Sequence, residues 1–143
     1  MDRQAAATYY VLYRLAQLGF VASPTSGGRA DLMACTADGR RVVLIRVRTY
    51  DAGRWNVTPA DRHPAGRNIA YAFVDFDSGG TEPRAFVLRG ALVQSLLEID
   101  PGFPRGAAAF DAFEDCREAW HGLGLSSRSA PKSESSVSSS PVL

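Results

Sequence analysis

The sequence predicts an α/β layer domain, with a mixed central sheet of about five strands flanked by helices. Three observations predict it. An amphipathic helical stripe opens the chain. Five apolar segments of strand length follow, punctuated by Gly, Pro and Asp turn signals. Helical spacing then returns after residue 90. A length of 143 residues fits one domain.

Residues 3–18 read as the first helix, because Ala7, Val11, Leu15 and Leu18 recur on one face and Gly19 supplies a left-handed stop. Phe20 to Ser23 is a short strand, and Pro24 to Gly28 a loop. Ala30 to Thr36 is a second strand. An Asp-Gly turn at Ala37-Asp38-Gly39 folds it back antiparallel onto a third, Arg41 to Thr49. Residues 50–68 are polar and hold Gly53, Pro59, Pro64 and Gly66, which makes a long loop with one helical turn starting near Thr58-Pro59. Ile69 to Phe76 and Ala85 to Leu88 are the fourth and fifth strands, joined through Ser78-Gly79-Gly80. Ala91 to Leu97 is a short helix. Ala107 to Trp120 is a last one, with Phe110, Phe113, Cys116 and Trp120 on its apolar stripe.

Residues 126–143 contain nine serines and cannot bury enough apolar surface to offset their ordering entropy. They are expected to be a disordered tail behind a domain at about 3–125. Residues 1–125 carry 14 Arg against 14 Asp plus Glu, so that stretch is neutral and no global polycation is present to bind nucleic acid. Of the 16 basic residues, 15 are Arg; the one Lys, Lys132, is in the tail, so no chemistry in the domain can use a lysine. Cys35 and Cys116 fit neither a disulfide framework nor a zinc spacing. Without an 18-residue apolar run or a signal-like start, the expectation is a cytoplasmic protein with no membrane contact.

The third strand carries the unusual chemistry. Alternation places Val43, Ile45, Val47 and Thr49 on one face, and Val42, Leu44, Arg46 and Arg48 on the other. Arg40, Arg41, Arg46, Arg48 and Arg54 stand against Asp51 alone, a local excess of positive charge. Asp31 on the neighbouring strand lies one hairpin away from Arg46, within expected ion-pairing reach of that strand.

The residues Leu18-Gly19-Phe20, Asp31-Leu32, the hairpin, and Arg46-Val47-Arg48-Thr49 together resemble the PD-(D/E)XK, or restriction-endonuclease-like, nuclease superfamily. Its small Holliday-junction-resolvase-like branch is the most similar. The resemblance implies a restriction-endonuclease-like core and places Asp31 at the first acid. Arg46 falls where the second acid or Gln belongs, and Arg48 where the Lys belongs. In that family the acids and a backbone carbonyl bind Mg²⁺, which activates water, and the Lys stabilises developing charge. A Glu that many members carry on the first helix is absent; the nearest acid is Asp2.

Arginine cannot ligate a cation. The expected site is therefore degenerate and inactive, with no cofactor and with Arg46 standing roughly where the metal would be. The role implied is a DNA-associated or partner-binding module. Arg40, Arg41, Arg54 and Trp55 are its candidate nucleic-acid contacts, weak and non-specific, and Trp55 serves either as a base-stacking residue or as packing against the sheet edge. The alternative is a divergent endonuclease in which Asp31 and a relocated acid, such as Asp75 or Asp77, hold Mg²⁺. A protein partner and a homodimer stay open. His63 reads as a solvated loop residue and His121 as a helix-dipole partner. Gly27-Gly28 and Gly79-Gly80 are turn residues, since no P-loop spacing follows them.

Overall fold

The structure is a computed structural model that describes residues 2–26, 28, 30–51, 54–62, 68–76, 82–99, 114–123 and 125. Helix α1 spans Arg3–Gln17. Asp2 caps it, its Oδ1 accepting the Ala5 N–H at 2.7 Å, and Gly19 at φ +89° turns the chain out of it. Its stripe Ala7, Val11 and Leu15 is fully buried. At about 1.5–3 kcal/mol for each large apolar side chain, Val11 and Leu15 anchor the helix.

The strands are β1 (Val21–Pro24), β2 (Leu32–Cys35), β3 (Val42–Asp51), the two-residue β4 (Arg54–Trp55), β5 (Ile69–Asp75) and β6 (Arg84–Arg89). Five of them form the main path in the order β1-β2-β3-β5-β6, and β4 pairs with the end of β3. The sheet is mixed. β3 and β5 run parallel and the other pairs antiparallel. A parallel pair needs a crossover, which the long segment between Asp51 and Ile69 provides. Its described part includes the 3₁₀ turn Pro59–Arg62 where one helical turn was expected. Helix α2 spans Gly90–Ile99.

Alternation on β3 and β5 divides the core. Val43, Ile45 and Val47 with Ala70, Ala72 and Val74 face α1. Ile69, Tyr71 and Phe73 face α2, whose Val93, Leu96 and Leu97 cover them. Arg46 and Arg48 are therefore on the α2 side of the most central strand.

Two sequence expectations change. The hairpin between β2 and β3 is wider than a two-residue Asp-Gly turn. The Thr36 N–H bonds the Arg41 carbonyl at 3.1 Å, leaving residues 37–40 as the loop with Gly39 at φ +74°. Asp38 closes that loop, accepting the Thr36 hydroxyl at 2.6 Å and the Arg40 N–H at 3.0 Å. The first half of the expected helix Ala107 to Trp120 falls outside the described residues, and its end is not helical. Arg117 bridges Phe86 on β6, Glu118 adopts φ 51°, and a 3₁₀ turn, Trp120–Leu123, follows with His121 inside it. A left-handed residue cannot continue an α-helix, and Glu118 is held there by its side chain, which accepts from Trp120 Nε1 at 2.8 Å and from the Ala85 N–H at 3.2 Å. No helix of the described residues is long and apolar enough to cross a membrane. The tail 126–143, Asp77, His63, Gly27 and Gly79-Gly80 lie outside the described residues.

Candidate functional site: an arginine–carboxylate cluster on the central strand

The two arginines of β3 converge on one carboxylate, that of Asp61. Period-2 alternation sends both side chains to the same face, and Arg46 is in register with Tyr71 on β5. Asp61 comes from the crossover. Within Thr58-Pro59-Ala60-Asp61 its Oδ2 accepts the Thr58 N–H at 2.8 Å, while its own N–H bonds the Thr58 carbonyl at 2.9 Å. The carboxylate on the Thr58 N–H is one half of a capping box, the other bond being the backbone one of the 3₁₀ turn, and together they aim the carboxylate down onto the sheet.

Asp61 is 0% exposed. Its two oxygens take Arg48 side-on, Nε at 3.0 Å and Nη2 at 2.8 Å. The Tyr71 hydroxyl donates to Oδ1 at 2.7 Å, and Arg46 Nη1 approaches the same oxygen at 3.4 Å while donating to the Tyr71 oxygen at 2.9 Å. Both guanidinium carbons lie within 5.8 Å of the Tyr71 ring centre, a cation–π distance. Arg48 also donates to the Val47 carbonyl at 2.9 Å and reaches Asp31 Oδ2 at 3.5 Å. Asp31, just before β2, fixes itself on β3 by accepting the Val47 N–H at 2.8 Å. The Arg48 guanidinium thus sits between two carboxylates, Asp31 and Asp61.

The electrostatics follow from that packing. Burial works against the charged form of Asp61, yet the Arg48 guanidinium, the Thr58 N–H and the Tyr71 hydroxyl outweigh it and hold its carboxyl below the usual range. Burial also works against the charge on Arg48, and the bonded Asp61 carboxylate again prevails, raising its pKa. Tyr71 is pushed up to about 12, first by burial and then by its bond to Asp61. At neutral pH the cluster holds two cations, two anions and one neutral phenol.

No family model matches the chain, and no curated protein matches it. Chains of solved structures do. The fold is similar to that of a bacterial homing endonuclease, I-Ssp6803I. The likeness spans 83% of this chain and 88% of that one, with a TM-score of 0.53 and 17% sequence identity. It supports a nuclease-like fold, a mixed sheet with helices on both faces, and transfers no residue role.

The remaining candidates fall in different places. Arg48 stands between Asp31 Oδ2, at 3.5 Å, and Asp61 Oδ1, at 2.8 Å, while Arg46, expected roughly where a metal would be, has its Nη1 3.4 Å from Asp61 Oδ1. Asp75 is 5% exposed and bonds Arg84 Nη2 at 2.7 Å, so its carboxylate is turned toward β6 rather than toward Asp31. Trp55 is not a surface platform for a base. It is 6% exposed and packs edge-on against Tyr50, Phe73 and Phe86, because β4 folds its indole onto the α2-side core. Arg40 and Arg41 are exposed at the hairpin. Seven residues of strand at about 3.3 Å each put Arg41 roughly 20 Å from Arg48. The five arginines therefore do not form one patch. The Arg54 side chain lies outside the described atoms.

Asp61 and Tyr71 are the members that sequence reasoning missed. The Thr-x-x-Asp spacing at Thr58 was the available signal for Asp61. A separate cavity of about 490 Å³ opens near α1 and the start of β6, lined by Tyr10, Arg14, Glu82, Pro83, Arg84, Arg117 and Glu118. Its arginines Arg14, Arg84 and Arg117 are held by Glu118, Asp75 and Glu114 respectively.

Proposed function

We propose that this chain is a nuclease-fold domain of the PD-(D/E)XK kind whose metal position has been taken over by arginine, and that it binds nucleic-acid phosphates without cutting them. The observation that supports this is the Arg48 guanidinium held between Asp31 and Asp61. The residues present do not fit Mg²⁺. Among the described residues no group of three or more His, Cys, Asp or Glu converges, and Asp31 and Asp61 already share the Arg48 cation. A divalent ion about 4 Å from a guanidinium would meet roughly 8 kcal/mol of repulsion at an effective dielectric of 20. Contact with DNA then rests on Arg40, Arg41 and Arg54, point contacts to phosphate that read no sequence.

The test combines two assays on the full chain. Branched, duplex and single-stranded DNA are incubated with Mg²⁺ and with Mn²⁺, and binding to labelled duplex is followed as salt rises from about 50 to 200 mM. No cleavage is expected, with affinity that falls steeply with salt and is lowered by Arg40→Ala with Arg41→Ala. Metal-dependent cleavage by the parent that Asp31→Ala abolishes would replace this reading with a divergent endonuclease in which Arg48 swings aside. Absence of any salt-sensitive DNA binding would end the nucleic-acid reading.

A further inference from the structure

The donors around Asp61 divide by origin. Arg46, Arg48 and Tyr71 all stand on the two central parallel strands, β3 and β5, locked in register. Part of their arrangement is made within the sheet, since Arg46 donates to the Tyr71 oxygen at 2.9 Å and Arg48 to the Val47 carbonyl at 2.9 Å. The crossover supplies the anion: Asp61, with the Thr58 N–H beside it. The sheet therefore presents a preformed anion receptor of two guanidiniums and a phenol, and the chain fills it with its own carboxylate.

The receptor's geometry is not peculiar to a carboxylate. Arg48 meets Asp61 through Nε and Nη2, the planar fork that suits two oxygens of a carboxylate or of a phosphate equally. Arg46 and Tyr71 add donors from the side, and a tetrahedral anion has further oxygens to offer them. Charge agrees. With Asp61 in place, Arg46 and Arg48 balance Asp31 and Asp61. With Asp61 withdrawn, the receptor carries a net single positive charge, matched to a singly charged phosphodiester.

Asp61 is attached through the crossover and not through the sheet. It belongs to a four-residue 3₁₀ turn, Pro59–Arg62, rather than to a strand. On its N-terminal side the crossover is tied to β3 through Asn56, whose Oδ1 accepts the Thr49 N–H at 2.7 Å and whose N–H bonds the Thr49 carbonyl at 3.0 Å. On the far side the Asn68 carbonyl accepts the Leu44 N–H at 2.8 Å. Both of these backbone ties lie outside the turn, so moving Asp61 off the receptor takes the turn off α2, against which it packs, and leaves the pairing of β3 with β5 in place.

We propose that Arg46, Arg48 and Tyr71 form a phosphate-binding site held closed by Asp61, which acts as an internal stand-in for the phosphate group. The proposal rests on the nuclease-fold reading for the source of that phosphate, a nucleic-acid backbone, but the site itself is defined by the receptor geometry. An intramolecular occupant competes at an effective concentration of about millimolar or more, so the parent binds through this site weakly, and removing the competing charge strengthens binding.

The experiment compares the full-length parent with Asp61→Asn, which keeps shape and removes charge. Labelled duplex DNA and inorganic phosphate are the two probes, read by fluorescence anisotropy and by thermal shift. Asp61→Asn is expected to bind duplex at least about tenfold more tightly than the parent, with a log–log salt slope steeper by about one. Adding Arg46→Gln and Arg48→Gln to that variant should cancel the gain. A gain with inorganic phosphate alone would keep the site and assign it to free phosphate, while removing the DNA source. Equal, salt-sensitive DNA binding by a folded Asp61→Asn and the parent would overturn this site and leave the nuclease-fold reading standing.

Should Asp61→Asn fail to fold, hydrogen exchange on the parent decides. Saturating duplex should expose the Thr58 and Asp61 amides, which bond within the turn. Unchanged protection there under saturation would overturn the displacement.

Discussion

Replacing Arg48 by Met keeps a long side chain and removes the charge that holds Asp61. Asp61 would then sit fully buried with the Tyr71 hydroxyl at 2.7 Å, the Thr58 N–H at 2.8 Å and only Arg46, at 3.4 Å, as a cation. Two unit charges about 4 Å apart interact by about 4 kcal/mol at an effective dielectric of 20, and breaking a buried pair from one side costs about 3–5 kcal/mol because the other charge is stranded. Arg48→Met is therefore expected to destabilise the fold by about 4 kcal/mol, a large share of a total stability of about 5–15 kcal/mol. Asp61→Asn should cost less, since Arg48 keeps Asp31 at 3.5 Å and part of its surface still meets water. In the double variant neither charge is stranded, so its cost should fall about 2–3 kcal/mol below the sum of the singles. Urea unfolding of all four proteins at neutral pH, with a shared slope, gives the cycle. Additivity within about 0.5 kcal/mol would refute the claim that this pair organises the cluster. Arg48→Lys, which keeps charge but loses the planar fork, gives an intermediate loss and serves if Arg48→Met does not fold.

Asp61 has a lowered carboxyl pKa, so its contribution is complete above the unfolded value of about 3.9 and is lost as pH falls through the folded one; Asp61→Asn should flatten the acid limb of a stability–pH curve. Tyr71 behaves oppositely. Raised from 10.0 to about 12, it contributes fully below pH 10 and loses about 3 kcal/mol between those values, and Tyr71→Phe should remove that alkaline loss in the same measurement. Trp55→Ala should destabilise by about 3–5 kcal/mol through the cavity it leaves, while DNA affinity of the folded fraction stays unchanged; a selective loss of binding with stability intact would put the indole back on a binding surface.

Much of this was legible in the sequence because local rules agree with tertiary packing there. The α1 stripe, the Gly19 stop and the alternation of β3 are each set by periodicity, and the structure buries Ala7, Val11, Leu15, Val43, Ile45 and Val47 on one side of the sheet. The proximity of Asp31 to the β3 arginines was also legible, since an antiparallel hairpin fixes which residues face one another. What the sequence hid was the partner from the crossover. Asp61 lies among prolines and glycines in a segment with no period, and its position depends on a 3₁₀ turn packing against α2 and β5, a contact that no spacing encodes. Trp55 was ambiguous for a related reason. An aromatic next to an arginine reads equally as a stacking platform or as core until the short β4 is seen folding it inward. The last helix failed at Glu118, where a side chain bonded to Trp120 and Ala85 stabilises a left-handed backbone that helical periodicity cannot anticipate.

The charge arithmetic of the cluster bears on whether a metal can return. Asp31 and Asp61 bring two negative charges, and Arg46 and Arg48 bring two positive ones, so the site is neutral on its own side chains and its stability should owe nothing to an added cation. Thermal unfolding is expected to be the same with a chelator as with millimolar Mg²⁺, because a ligand stabilises only by binding the native state. Converting Arg46 to Glu and Arg48 to Lys changes that sum. Three carboxylates and one ammonium leave a deficit of two positive charges, the charge of one divalent ion, and the ammonium is compact enough to sit beside it rather than between the acids. The double variant should melt lower than the parent in chelator, through carboxylate repulsion around the buried Asp61, and recover on adding Mg²⁺ or Mn²⁺. Metal-dependent DNA cleavage appearing only in that variant would show that two arginines stand between this fold and hydrolysis. A parent that is itself stabilised by Mg²⁺ would mean that Arg48 yields its place to the ion, and the self-neutral cluster would no longer describe the site.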